Sequence, residues 1–222
     1  MIEHVYRRAK FCSRLDDVYV ATCDQQIRDV AEGFGASVIM TSAAHERATA
    51  RVAKSAEHFV ADTIVMIQGD EPMITAEMID TALEPLRSDA SISCVNLVHR
   101  ITSQSEFIDR NTIKVVGDLN GNALYFSRCP IPYVNLEHTT AKLLKQVCVI
   151  GFTRRSLEEF PRLSSTPLEQ AESIDMLRLL EHGRSVRLAE TVVETHSVDT
   201  PADLQLVQTM MSNDSIMQRY VS

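Results

Sequence analysis

Ile2, Val5, Tyr6 and Ala9 recur at helical spacing and predict an amphipathic helix over residues 2–12. Beyond it, short β-rich runs alternate with helical patterns. "DVYVAT" (17–22) reads as a strand and "QQIRDVAEGFG" (25–35) as a helix closed by glycine. "SVIMTS" (37–42) predicts the next strand. "HERATARVAKSAEHF" (45–59) predicts a helix with Val52, Ala53 and Ala56 turned inward. "TIVMIQ" (63–68) is continuously apolar, as expected of a strand buried on both faces of a parallel sheet. Thr75 caps a helix running to about Arg87. Strand and helix alternating in this way predict an α/β fold with a doubly wound sheet.

After residue 90 the rhythm changes. "SCVNLVHRI" (93–101) predicts a strand, and "TIKVVGDLNGNALYFSR" (112–128) a β-hairpin about a turn holding Asp118, Asn120 and Gly121. "KQVCVIGFTR" (145–154) is a further strand. "PLEQAESIDMLRLLEHG" (167–183) reads as one helix with Gly183 just past its end. "SVRLAET" (185–191) predicts a last strand. "TPADLQLVQTMM" (200–211) predicts a last helix with Thr200 as N-cap, Pro201 at N1 and Asp203 at N3. Weak periodicity in "SNDSIMQRYVS" predicts a loose tail over 212–222, beyond a single domain of residues 1–211.

Composition narrows the function. The 222 residues are 45% hydrophobic and 23% charged, ordinary for a globular protein with a full core. A formal net charge of −8 argues against nucleic-acid partners, so an anionic substrate must meet a local cluster of Arg and Lys. No apolar run approaches the roughly 18 residues that cross a bilayer, and a cytoplasmic location is expected. Cys12, Cys23, Cys94, Cys129 and Cys148 are odd in number and include no CxxC pair, which favours buried or inert thiols. His45, His58, His99, His138, His182 and His196 show no ligand spacing.

Phosphate-loop, nucleophile-elbow and HExxH motifs are missing, and "GFG" (33–35) closes a helix where a dinucleotide loop would open one. Two acidic positions remain where α/β sheets do chemistry. Asp70 in "MIQGDEPMI" (66–74) directly follows an apolar strand, and Asp199 in "SVDTPAD" precedes the last helix. Two carboxylates from separate strand ends could hold Mg²⁺, which leaves its other positions to water and phosphate. Asp and Pro also form turns after any strand, and Asp199 precedes a well-made helix start. Spacing alone favours the turn for each.

The wording of four segments shifts that balance. "QGDEPMI" (68–74), "NTIKVVGDLNGNALYFSRCPIP" (111–132), "TPLEQAESIDMLRLLEHG" (166–183) and "SVDTPADL" (197–204) resemble the 3-deoxy-manno-octulosonate cytidylyltransferases, or CMP-KDO synthetases. Order and spacing match as well, from Met1 to about Met211. The resemblance implies a Rossmann-like nucleotidyltransferase sheet with helices on both faces and a β-hairpin insertion, acting with Mg²⁺ and usually as a homodimer. It implies transfer of CMP from CTP to the anomeric hydroxyl of a 3-deoxy sugar acid for a surface glycan such as lipopolysaccharide. By motif, Asp70 and Asp199 become the catalytic metal carboxylates and Gln68 lies beside the nucleotide. "HERATAR" (45–51) matches a segment near the cytosine and ribose, with Arg47 and Ala48 where Ser-Gly is usual, keeping Thr49 and Arg51. Arg128 of "YFSR" is a candidate for the sugar carboxylate. Lys114 and Lys145 could add positive potential, Lys145 being better read as a solvated surface charge.

The chain also departs from that pattern. Family members open with a strand and a loop of the type PARxxSxRLPxKPL that grips the triphosphate, whereas Met1 falls at the helix after it. In the sugar-binding strand, Gln146 and Ile150 stand where His and Tyr are usual. Met176 replaces a common Gln, beside Asp175 where Glu is common. The expected substrate contacts are thus Arg128, Gln146 and Asp175, with a variant ulosonic acid as a possible acceptor. The competing expectation is a truncated, non-catalytic relative that retains dimerisation or weak sugar-nucleotide binding.

Overall fold

The computed structural model describes residues 1–45, 47–134 and 141–221. These group into two compact units. The first holds residues 1–60, 67–80 and 193–222, and the second 61–66 and 81–192.

The first unit is built on α1 (Ile2–Ala9), β1 (Tyr19–Thr22), α2 (Gln25–Gly33), β2 (Ser37–Met40) and α3 (Ala48–Ser55). β1 and β2 pair in parallel, Tyr19 against Ser37 through Thr22 against Met40, and form a two-stranded sheet of their own. Asp24 caps α2 by accepting from the Gln26 and Ile27 N–H groups. Gly35 supplies the positive φ that turns the chain back into β2. Ala53 and Ala56 are buried as expected, while Val52 is only half-buried.

The tail differs from expectation. After α9 (Pro201–Met211) comes a short helix, α10 (Ser215–Gln218), and the segment is tied down. Arg8 on α1 is buried, so its guanidinium must be fully partnered. It donates to Ile74 O at 2.6 Å and Met73 O at 3.2 Å, and pairs with Asp214 at 3.0 Å. His4 Nδ1 lies 2.9 Å from Tyr220 Oη. A weak apolar period misses this anchor because the anchor is ionic.

The second unit is organised by β7 (Leu144–Thr153), the longest strand at 10 residues. β4 (Cys94–Arg100) takes one edge of β7 antiparallel, and β8 (Arg187–Thr191) follows β4 in parallel. The other edge of β7 is shared by β3 (Thr63–Ile67) and β5 (Lys114–Gly117). β5 pairs antiparallel with β6 (Ala123–Ser127) in the expected hairpin, turned by Gly121 at φ 79°. The result is a mixed six-stranded sheet, with α5 (Gln104–Ile108) following β4 and α6 (Arg154–Glu159) following β7 in the chain. β3 is not buried on both faces: Ile64 and Met66 are buried, whereas Val65 and Ile67 are half-buried.

α4 (Ala76–Ser88) begins with Thr75 Oγ1 accepting from Met78 N–H at 3.3 Å. Its later part approaches the sheet at Gly151, where an added Cβ would lie 2.9 Å from Leu86 and 3.2 Å from Ala82 O. The single helix expected over 167–183 is two, α7 (Pro167–Glu172) and α8 (Asp175–Glu181), broken at Ser173 in the left-handed conformation (φ 57°). One apolar stripe runs through both, so periodicity alone does not see the break. Gly183 (φ 71°) ends α8 as predicted.

Candidate functional site

In the first unit the loop after β3 and the loop before α9 are tied together. Val198 N–H donates to Asp70 O at 2.9 Å, and Thr195 Oγ1 donates to Glu71 Oε2 at 3.2 Å. Asp70 Oδ1 is buried and accepts no hydrogen bond. Burial pushes the Asp70 carboxyl above the ordinary carboxylate range; a bond from its own N–H opposes the rise and the charge of Asp199 adds to it. Asp199 is exposed, and its Oδ2 accepts from Ser197 Oγ at 3.0 Å.

Neither carboxylate is needed for its turn. The 68–71 turn closes through the backbone, Glu71 N–H to Gln68 O at 3.3 Å. α9 is capped by its own box: Asp203 Oδ2 accepts from Thr200 N–H at 2.7 Å, and Asp203 N–H donates to Thr200 Oγ1 at 3.2 Å. The turn closure and the helix cap therefore do not account for the Asp70 or Asp199 side chain, although Asp199 Oδ2 accepts from Ser197 Oγ. A buried oxygen without a donor is costly, and a second carboxylate beside it raises that cost. A hard divalent cation would relieve both terms, so the donor set fits Mg²⁺. No group of three or more His, Cys, Asp or Glu side chains suited to a metal occurs among the described residues. A cation held here would keep positions open for water and phosphate oxygens.

The nucleotide candidates differ in standing. Gln68 is half-buried, and its side chain makes no hydrogen bond among the described residues. Arg51 donates to Thr41 Oγ1 at 2.5 Å and His45 O at 2.9 Å. These acceptors are neutral, so they orient the guanidinium without cancelling its charge. Thr49, the other residue expected near the nucleotide, is fully buried in the first turn of α3.

The sugar-side candidates lie in the second unit. Arg128, half-buried at the end of β6, donates through Nε to Glu172 O at 2.8 Å and through Nη1 to Arg110 O at 3.1 Å. Gln146 on β7 donates to the buried Asn96 Oδ1 at 2.5 Å. Asp175 opens α8 and is half-buried. Ile150 and Met176, the departures from the family pattern, are both buried in the core and present nothing to a ligand.

The two candidate lysines are both buried, and the expectation for Lys145 needs correction. Lys114 is fully buried, and its Nζ donates at 2.6 Å to each of Asp109 O, Thr112 O and Arg128 O. With all three protons engaged it braces the backbone, and burial pulls its pKa down. Lys145 is not a solvated charge; it is buried and paired with Glu106 at 2.5 Å. Glu71 and Glu172 were missed by sequence reasoning because each acts through tertiary partners more than 40 positions away.

Comparison with known proteins places the chain in a family. A family model described as cytidylyltransferase matches residues 1–188. The 3-deoxy-manno-octulosonate cytidylyltransferase of Geobacter metallireducens is 42% identical over 226 residues, covering 97% of this chain and 89% of that protein. Its counterpart in Fusobacterium nucleatum is 37% identical, with 97% and 88% covered. Among solved structures, a CMP:2-keto-3-deoxy-manno-octonic acid synthetase complexed with CTP superposes with a TM-score of 0.87 at 38% identity, covering 95% of this chain and 87% of that one. A putative glucose-1-phosphate thymidylyltransferase from Bacillus anthracis, at 14% identity and a TM-score of 0.67, shares the fold alone. This chain belongs to the cytidylyltransferase family.

Proposed function

We propose that this chain transfers CMP from CTP to the anomeric hydroxyl of 3-deoxy-manno-octulosonate and releases pyrophosphate. The observation that carries this reading is the partnerless, buried Oδ1 of Asp70 beside Asp199 in a chain of this family. The hydroxyl oxygen bonds to the α-phosphorus, the bond from that phosphorus to the bridging oxygen breaks, and pyrophosphate leaves with the electron pair. The hydroxyl proton passes to solvent. Such transfer depends on positioning and charge stabilisation, and no protein nucleophile is required. Asp70 and Asp199 would hold Mg²⁺, which when bound neutralises charge developing on the phosphoryl oxygens.

The protein's own groups do the rest. Arg51 directs an uncancelled positive charge and Gln68 offers an amide for the nucleotide. Arg128 meets the sugar-acid carboxylate, with Gln146 and Asp175 beside the sugar. An intact carboxylate pair favours the enzyme over a non-catalytic relative. We place the chain in the cytoplasm as a homodimer supplying lipopolysaccharide or another surface glycan, by analogy with the family; no helix among the described residues is long and apolar enough to cross a membrane. The test is pyrophosphate release with CTP, Mg²⁺ and a panel of ulosonic acids. 3-Deoxy-manno-octulosonate should be the best acceptor. Turnover with none of the panel would reject the reading, and a preference for an amino-substituted or sialic-type acid would change the acceptor.

A further inference from the structure

The break between α7 and α8 has a use. Because α7 stops at Glu172, the carbonyl of that residue has no partner within the helix and accepts from Arg128 Nε at 2.8 Å. The Glu172 carboxylate turns to the same place, accepting from Arg128 N–H at 2.8 Å, Ser127 Oγ at 2.7 Å and Tyr125 Oη at 3.3 Å. Lys114 Nζ holds Arg128 O at 2.6 Å. The backbone of Arg128 is thus fixed at its N–H and its C=O, and its side chain at Nε and Nη1. No carboxylate pairs with its guanidinium among the described residues. An arginine whose contacts are carbonyl oxygens keeps its charge for an incoming anion and loses little rotamer freedom on binding it.

We propose that Glu172 is a positioning residue that fixes Arg128 for the carboxylate of the sugar acid, and that the helix break at Ser173 exists to present it. This rests on the reading of Arg128 as the sugar-carboxylate contact. The substitution Glu172→Gln keeps the shape but replaces one acceptor oxygen with an amide facing N–H and O–H donors.

Steady-state kinetics on the full chain with Mg²⁺ separate the possibilities. Glu172→Gln should raise KM for 3-deoxy-manno-octulosonate about tenfold, the equivalent of losing charge-assisted hydrogen bonds, while KM for CTP stays within about twofold. Ser127→Ala removes one bond to the same carboxylate and should raise the same KM about two- to threefold. Arg128→Ala should raise it further than either. If Arg128→Ala leaves KM for the sugar acid unchanged, the Arg128 reading fails. If Arg128→Ala raises that KM and neither Glu172→Gln nor Ser127→Ala does, positioning by Glu172 is overturned and the Arg128 reading stands. Should Glu172→Gln not fold, Ser127→Ala decides alone: no shift rejects the proposal. Equal rises in both KM values for the folded variants would show general damage and reject it as well.

Discussion

Asp70, in the loop after β3, and Glu172, the last residue of α7, are both half-buried carboxylates, and their surroundings are opposite. Glu172 accepts three hydrogen bonds; burial pushes its carboxyl up, and the bonds from Arg128 N–H, Ser127 and Tyr125 outweigh it and hold the group below the ordinary range. Asp70 keeps a buried oxygen without a donor and is held above that range. In one place the protein supplies every partner itself. In the other it leaves an acceptor open beside a second negative charge. A satisfied carboxylate stabilises, and an unsatisfied buried one stores a cost that a bound cation would relieve.

The sharpest way to break this contrast is to remove a satisfied charge. Glu169 is completely buried and takes a bidentate pair from Arg178, at 2.6 and 2.7 Å, with the Arg178 guanidinium 4.4 Å above the Phe160 ring. Glu169→Ala strands a buried guanidinium and should cost about 3–5 kcal/mol in urea unfolding. A loss below about 1 kcal/mol would show that the pair is dispensable.

Asp70→Asn should behave in the reverse manner. Turnover should fall about a thousandfold, since metal stabilisation is worth several kcal/mol. Its melting temperature should stay level or rise, because the oxygen replaced makes no bond and the charge removed faces Asp199. A variant that loses stability as Glu169→Ala does would show Asp70 to be structural; unchanged turnover would refute its metal role.

The sequence shows one of these regions and hides most of the other. Asp70 and Asp199 are legible because each sits at a junction that local pattern marks, a strand end and a capped helix. Thr200 and Asp203 were likewise visible as a local cap, and the structure has that box. Glu172 is invisible because its meaning depends on β6, some 45 residues earlier in the chain. The break at Ser173 hides within a continuous apolar stripe, and the tail anchor Arg8–Asp214 joins the two ends of the chain. Local periods record burial; they do not record which distant carbonyl a buried charge will meet.

Glycines grade the two regions next. A Cβ at Gly151 would press on Ala82 O and Leu86, so Gly151→Ala must shift a helix against the sheet and should cost about 1–3 kcal/mol. At Gly69 the nearest atom is the flexible end of Ile2, at 3.3 Å, and Gly69→Ala should cost less than about 1 kcal/mol. Thermal unfolding of both variants checks the order, and an equal or reversed cost would remove the difference in rigidity.

The smallest effect is a pH dependence at Glu172. Its folded pKa lies below the unfolded value, so its contribution to stability is complete above the ordinary carboxylate range and is lost as pH falls through the folded pKa. Glu172→Gln should therefore be less stable than the parent at pH 7, by about 1 kcal/mol for a partly exposed group. On acidification the parent protonates Glu172 and the variant has nothing to protonate there. The gap should close as pH drops below about 4, the ordinary range for Glu. Denaturant titrations of both proteins across that window measure it. A gap that stays constant with pH would mean that the amide disturbs packing and that the charge on Glu172 contributes nothing, which would leave Asp70 as the only carboxylate of the two whose ionisation the fold registers.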